Sequence, residues 1–196
     1  ATNENFSMVN AQDPESADKN TIFLIDKHED GSKYLLSYGE GLYMRNGTVG
    51  TVGKQGSKIN FNKDADGSFA LKVGLDYLAV KDGKVVTQMT KPDTKFTLTP
   101  VLSLPVKLNQ INGKGYGTFY TPVAVEIPTG LEAYVATIID EGMLKLVRIT
   151  NGVIPPATGV VLYTETSTMN YWLPITTDED IPQVTSTLRG TYFRRY

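Results

Sequence analysis

Asp30-Gly31-Ser32-Lys33-Tyr34-Leu35-Leu36-Ser37-Tyr38-Gly39-Glu40-Gly41-Leu42-Tyr43-Met44-Arg45-Asn46-Gly47 returns without a gap as Asp66-Gly67-Ser68-Phe69-Ala70-Leu71-Lys72-Val73-Gly74-Leu75-Asp76-Tyr77-Leu78-Ala79-Val80-Lys81-Asp82-Gly83. The offset is constant, 66 − 30 = 83 − 47 = 36. Leu35 pairs with Leu71, Glu40 with Asp76, Leu42 with Leu78, Met44 with Val80 and Arg45 with Lys81. One further step back places Phe6, Met8, Asn10 and Ala11 against Leu42, Met44, Asn46 and Gly47, a partial third copy. Repeats of this length are single supersecondary units that bury their apolar faces only by packing on each other.

The units read as β-structure. Thr21–Ile25, Lys33–Tyr38, Lys58–Phe61 and Lys95–Leu98 are short, rich in aromatic and β-branched residues, and bounded by Gly, Asp, Asn or Pro. No stretch holds the i, i+3, i+4, i+7 apolar pattern long enough for a helix. The 18 glycines and 10 prolines break the chain at hairpin intervals. An all-β fold follows, with residues 1–101 expected as a β-trefoil-like repeat domain of strand–turn–strand units. The first copy lacks its opening strands, so that domain is expected to be incomplete at its N-terminal side, with the closure of the trefoil open.

Around Pro100-Val101-Leu102-Ser103-Leu104-Pro105 the repeat stops, and 102–196 reads as a second, β-sandwich domain. Its clearest hairpin joins Ala133–Ile139 to Leu144–Ile149 across Asp140-Glu141-Gly142.

Composition narrows the function. A net charge of −2, with Lys and Arg scattered, argues against a nucleic-acid partner. The absence of cysteine excludes disulfides, thiolate metal sites and Cys nucleophiles. No apolar run approaches the ~20 residues needed to cross a bilayer, so no membrane insertion is expected. The opening Ala1-Thr2-Asn3-Glu4 reads as that of a mature or trimmed chain.

Two segments carry a family resemblance. The run from Leu104-Pro105-Val106 through Gly115-Tyr116-Gly117-Thr118-Phe119-Tyr120-Thr121-Pro122-Val123-Ala124-Val125 continues as Ile127-Pro128-Thr129-Gly130-Leu131-Glu132-Ala133-Tyr134. The second is Gly152-Val153-Ile154-Pro155-Pro156-Ala157-Thr158-Gly159-Val160-Val161-Leu162. Together they resemble a C-terminal β module of large secreted and surface proteins of gut anaerobic bacteria. The resemblance covers about residues 102–192 and implies an extracellular or cell-surface location and a modular context, with no catalytic residue to carry over. Such modules usually continue past Leu188–Tyr192 with more strands, so a sheet edge is expected to be completed by a partner or a further segment. The first half is similar to trefoil lectin and fascin-like modules in period and turn chemistry alone. The Gln-x-Trp signature of ricin-type lectins is absent, since no Trp precedes Trp172.

Catalytic chemistry finds little purchase. His28 is the only histidine and lies in a turn, with no Gly-x-Ser-x-Gly elbow beside it. Acidic residues cluster in turns, where solvation explains them better than the paired carboxylates of a glycoside hydrolase. Asn62-x-Asp64-x-Asp66-Gly67-Ser68 resembles the start of a calcium loop, so Asn62, Asp64 and Asp66 are candidate ligands. Against this, Val73 holds the position of the bidentate Glu, and Asp-Gly also forms a tight turn without metal. Eleven Tyr and one Trp supply flat apolar faces with polar tips, the surfaces that stack on sugars or anchor protein contacts. Tyr34, Tyr38, Tyr43, Tyr77 and Trp172 are the candidate ligand contacts, and alternation puts one of Tyr171 and Trp172 inward and the other outward. The chain is thus expected to be a non-enzymatic extracellular binding or adhesion module for glycan or a surface or matrix protein. The alternatives are a structural spacer of a larger secreted protein and, from a different class, a glycoside hydrolase.

Overall fold

The computed structural model describes residues 19–39, 42–45, 48–49, 56–138, 143–177, 180–181 and 183–190. The fold is all-β. Among these residues the only helical element is a 3-10 turn at Lys19–Thr21, and no helix is long and apolar enough to cross a membrane. The described residues divide into two compact units, one over 19–100 and the other over 101–190.

In the first unit each repeat is a four-stranded antiparallel meander, twice the strand–turn–strand expected. The first meander comprises β1 (Phe23–Lys27), β2 (Lys33–Ser37), β3 (Leu42–Arg45) and β4 (Thr48–Val49). The second comprises β5 (Ile59–Lys63), β6 (Phe69–Val73), β7 (Asp76–Lys81) and β8 (Lys84–Gln88). The 36-residue step holds at three of the four strand starts, since 59 − 23, 69 − 33 and 84 − 48 all equal 36, while β3 and β7 start 76 − 42 = 34 apart. The partial copy read at 6–11 lies outside the described residues.

The Asp-Gly-Ser turns match bond for bond. His28 N–H donates to Ser32 O at 2.9 Å and Gly31 N–H to His28 O at 2.9 Å. In the second copy Asp64 N–H donates to Ser68 O at 2.8 Å and Gly67 N–H to Asp64 O at 3.0 Å. Gly31 at φ 79° and Gly67 at φ 86° occupy the left-handed region, which is why glycine stands at both. Asp30 and Asp66 close their turns by accepting the backbone N–H of Ser32 at 2.9 Å and of Ser68 at 3.0 Å. Farther along, Tyr38 N–H donates to Ile22 O at 3.0 Å, and its equivalent Gly74 N–H to Lys58 O at 3.2 Å.

One face of both meanders feeds a common core of Leu35, Met44, Ile59, Leu71, Val73, Leu78 and Val85. Phe23, Phe61, Phe69 and Phe96 pack against it. Burying each such side chain contributes roughly 1.5–3 kcal/mol, and the core draws these side chains from both meanders. Beyond β8, Phe96 exchanges two backbone hydrogen bonds with Phe69, at 2.8 and 2.9 Å.

The second unit comprises β9 (Ser103–Lys107), β10 (Asn109–Ile111), β11 (Lys114–Phe119), β12 (Val125–Glu126), β13 (Glu132–Ile138), β14 (Leu144–Arg148), β15 (Val153–Ile154), β16 (Val160–Thr164) and β17 (Asn170–Pro174). A five-stranded sheet runs β10-β11-β16-β13-β14, and β9 pairs with β17 and β12 with β15. A Val125–Ile175 bridge joins these two pairs. The β13–β14 hairpin read from sequence forms with Ile138 opposite Leu144. Alternation on β17 sends Tyr171 and Leu173 inward and Trp172 outward. The buried Tyr171 hydroxyl lies 2.8 Å from Thr164 Oγ1 on β16, and Thr164 donates to Gly130 O at 2.7 Å, tying β17 to the five-stranded sheet. The Gly-Tyr-Gly of β11 follows from close approach, because a Cβ on Gly117 would stand 2.8 Å from Leu108 Cδ2. Past β17, Thr187 N–H donates to Ala136 O at 2.7 Å and Ser186 Oγ to Gly159 O at 2.8 Å, laying the 183–190 segment against β13.

Candidate functional site

Strand pairing assembles a polar row on the second meander. Asn60 on β5 lies opposite Lys72 on β6, Lys72 opposite Tyr77 on β7, and Tyr77 opposite Gln88 on β8. Because side chains alternate along a strand, these residues share a face, opposite the one that carries Leu71 and Val73 into the core. The row borders a groove of about 390 Å³ lined by Gly31, Lys33, Ile59, Asn60, Phe61, Asn62, Lys72 and Tyr77. That volume falls in the lower part of the range occupied by small-molecule sites, about 300–1,000 Å³.

Two of the lining residues are cations, and no lining residue is a carboxylate. Lys33 Nζ stands 5.8 Å from the centre of the Phe61 ring, and Lys72 Nζ 5.4 Å from that of Tyr77. Neither lysine has an ion-pair partner among the described residues, whereas four carboxylates nearby in sequence are engaged. Asp26 contacts His28 at 3.2 Å, Asp30 pairs with Lys58 at 3.2 Å, Asp64 with Lys91 at 2.9 Å, and Asp66 with Lys95. Hydrogen bonds from Ser32 and Lys58 hold the Asp30 carboxyl well below the usual range, and those from Lys95 and Ser68 do the same for Asp66. The groove therefore offers two ammonium groups, two amides and the half-buried Tyr77.

Tyr77 and Asn62 line this groove, and Tyr34, Tyr38, Asp64, Asp66 and Trp172 are not among its lining residues. Tyr34 is a core residue, only 2 % exposed, with its ring 4.6 Å from that of His28, and we withdraw it as a ligand contact. It is covered because β2 is buried on both faces. Tyr38 is half-buried, and burial pushes its hydroxyl up to about 12. Tyr43 belongs to β3, and its side chain lies outside the described residues. Trp172, 39 % exposed, belongs to the second unit and takes no part in the groove.

The calcium reading finds its oxygens otherwise engaged. Asp64 faces Lys91, and Asp66 uses one oxygen on Ser68 and the other on Lys95. Asn62 is exposed along the groove. Among the described residues no group of three His, Asp or Glu side chains converges to hold a metal. We assign no ion to this turn.

Sequence reading passed over Lys33, Asn60 and Lys72. Their signal lies in the repeat itself: where the second copy has Asn60 and Lys72, the first has Leu24 and Leu36. It also passed over the tyrosines of the second unit, where Tyr116 and Tyr163 face each other on β11 and β16 with ring centres 5.2 Å apart. That cluster is closed on itself. Tyr163 donates to Glu165 at 2.9 Å, Lys114 pairs with Glu165 at 3.3 Å, and Arg148 pairs with Glu132 at 3.0 Å. Bonding to Tyr163 and Glu165 pushes the Lys114 ammonium up to about 12. Its charges are matched internally, whereas those of the groove are not.

No family model, curated protein or solved structure matches this chain.

Proposed function

We propose that this chain is a non-enzymatic extracellular module that binds glycan at a bacterial cell surface through the groove on the second meander. The observation that carries this reading is the placement of Tyr77 beside two exposed amides and two unpaired lysines in one open groove. An aromatic face flanked by amides suits sugars, because ring C–H groups pack on the π-face while hydroxyls hydrogen-bond the amide donors and acceptors. In the same reading the first unit is a trefoil-like assembly, supported by the two matching four-stranded units. The second is a sandwich-type module, supported by the five-stranded sheet tied through Thr164 and Tyr171 to the β9–β17 pair.

A glycan array probed with the purified chain and with Tyr77→Ala tests the function. A related set of glycans is expected to bind, with the signal lost in the variant. A blank array for the unaltered chain would sink the glycan reading and leave a spacer or protein-adhesion role.

A further inference from the structure

We infer that the groove selects anionic sugars, those bearing carboxylate or sulfate groups, through Lys33 and Lys72; this rests on the glycan-binding reading above. The chain carries a net charge of −2, so a patch with two cations and no lining carboxylate is not its average surface. Lys58, Lys91 and Lys95 each have an acidic partner, and Lys33 and Lys72 have none among the described residues. Each stands instead near a ring, Lys33 by Phe61 at 5.8 Å and Lys72 by Tyr77 at 5.4 Å. A cation near a ring face at this distance keeps its N–H donors available to a ligand oxygen, and the ring restrains the flexible stem.

The two lysines come from different repeats. Lys33 opens β2 of the first meander, and Lys72 lies within β6 of the second. Asn60, directly across from Lys72, and Asn62 add neutral donors and acceptors along the same wall. A sugar ring against Tyr77 would thus place an acidic substituent within the field of an unmatched ammonium, in a part-enclosed site where charge-assisted hydrogen bonds are stronger than in open water. Neutral sugars make the same ring and amide contacts and leave both ammonium groups unanswered.

The test is calorimetric titration of the full chain with a sulfated oligosaccharide, an oligouronate, a neutral oligoglucan of similar length and a single-stranded oligonucleotide. Both anionic sugars are expected to bind at least about tenfold tighter than the neutral one. Their affinity should fall as salt rises from roughly 50 to 300 mM. Lys33→Gln with Lys72→Gln, which keeps much of each side chain's length, should weaken the anionic sugars about tenfold or more. Lys33→Arg with Lys72→Arg should retain binding, and Lys84→Ala, an exposed lysine on β8 outside the groove, should change nothing. A preference for sulfate or for carboxylate would name the source of the anion within the inference. Equal binding of the neutral glucan, unaffected by the double glutamine variant, would overturn the anionic selectivity and leave the glycan-binding function standing. Binding of none of the three sugars would remove both. Tighter binding of the oligonucleotide than of either anionic sugar would overturn the inference in favour of a nucleic-acid site.

Discussion

The two meanders of the first unit share a turn, a strand order and a core, yet one face of each has a different fate. In the first, the row across β1 and β2 is Leu24 and Leu36, and Leu36 is only 3 % exposed. In the second the equivalent row is Asn60 and Lys72, which open onto a groove. The third position of the row is tyrosine in both, Tyr43 opposite Leu36 and Tyr77 opposite Lys72. These tyrosines are 77 − 43 = 34 residues apart instead of 36, because the β2–β3 connection spans four residues and the β6–β7 connection only two. A shift of two preserves strand parity, so the same faces stay together. A duplicated unit thus keeps the residues that close its turns and fill the common core. The opposite face diverges, to bury apolar side chains in one copy and present polar ones in the other.

Exchanging residues across the repeat would test this contrast most severely. Leu36→Lys should cost about 3 kcal/mol or more, since it removes apolar burial and places a charge where it is covered. Urea denaturation would measure the loss, and a cost under about 1 kcal/mol would show that the first meander's outer face is not packed. The shared turn comes next. Gly31→Ala and Gly67→Ala should each cost about 1 kcal/mol, and by similar amounts. Nothing lies within 4 Å of either added Cβ, so the penalty is conformational alone. Thermal melts that differ sharply between the two variants would break the equivalence of the turns.

Acid should unsettle both copies together. Asp30 and Asp66 have folded-state pKa values depressed below the unfolded value of about 3.9. Their contribution is therefore complete above about pH 5 and declines as the pH drops toward 2. Asp30→Asn with Asp66→Asn should flatten the fall in denaturation midpoint over that window, and an unchanged acid slope would count against the pairing. The reverse exchange, Lys72→Leu, should move stability by no more than about 0.5 kcal/mol while weakening anionic-sugar binding in the calorimetric titration, by less than the double glutamine exchange does. Smallest of all is calcium. Because Asp64 and Asp66 are paired with lysines, millimolar calcium is expected to leave the melting temperature where it was, and a clear rise would restore the Asn62–Asp66 turn as a site.

Much of this is legible in the amino-acid sequence. The recurrence of Asp-Gly-Ser fixed two tight turns, since the side-chain cap and the positive-φ glycine are local requirements. The 36-residue step set the period and paired Leu35 with Leu71, while their place in the common core came from the structure. Alternation left one of Tyr171 and Trp172 to point outward, without saying which. The tyrosine candidates fared unevenly for the same reason: a strand residue advertises its face but not what lies over that face. Tyr34 carries the aromatic signature of a binding residue and is buried, while Tyr77 carries the same signature and lines a groove. Lys72 by itself gives no such signal, because a lone lysine in a strand ordinarily reads as solvated surface.

From the sequence by itself came the all-β character, the duplicated unit and its turn chemistry, all governed by interactions within a few residues. Tertiary structure alone decided that the duplicated unit is a four-stranded meander, that Lys33 of one copy shares a groove with Lys72 of the other, and that β2 is covered where β6 is open. Those outcomes depend on which surfaces pack together and which charges find partners 20 or 30 residues away. Asp30 with Lys58 and Asp66 with Lys95 are such pairs. Burial and charge pairing belong to the assembled chain, and they turned one of two similar units into the candidate site.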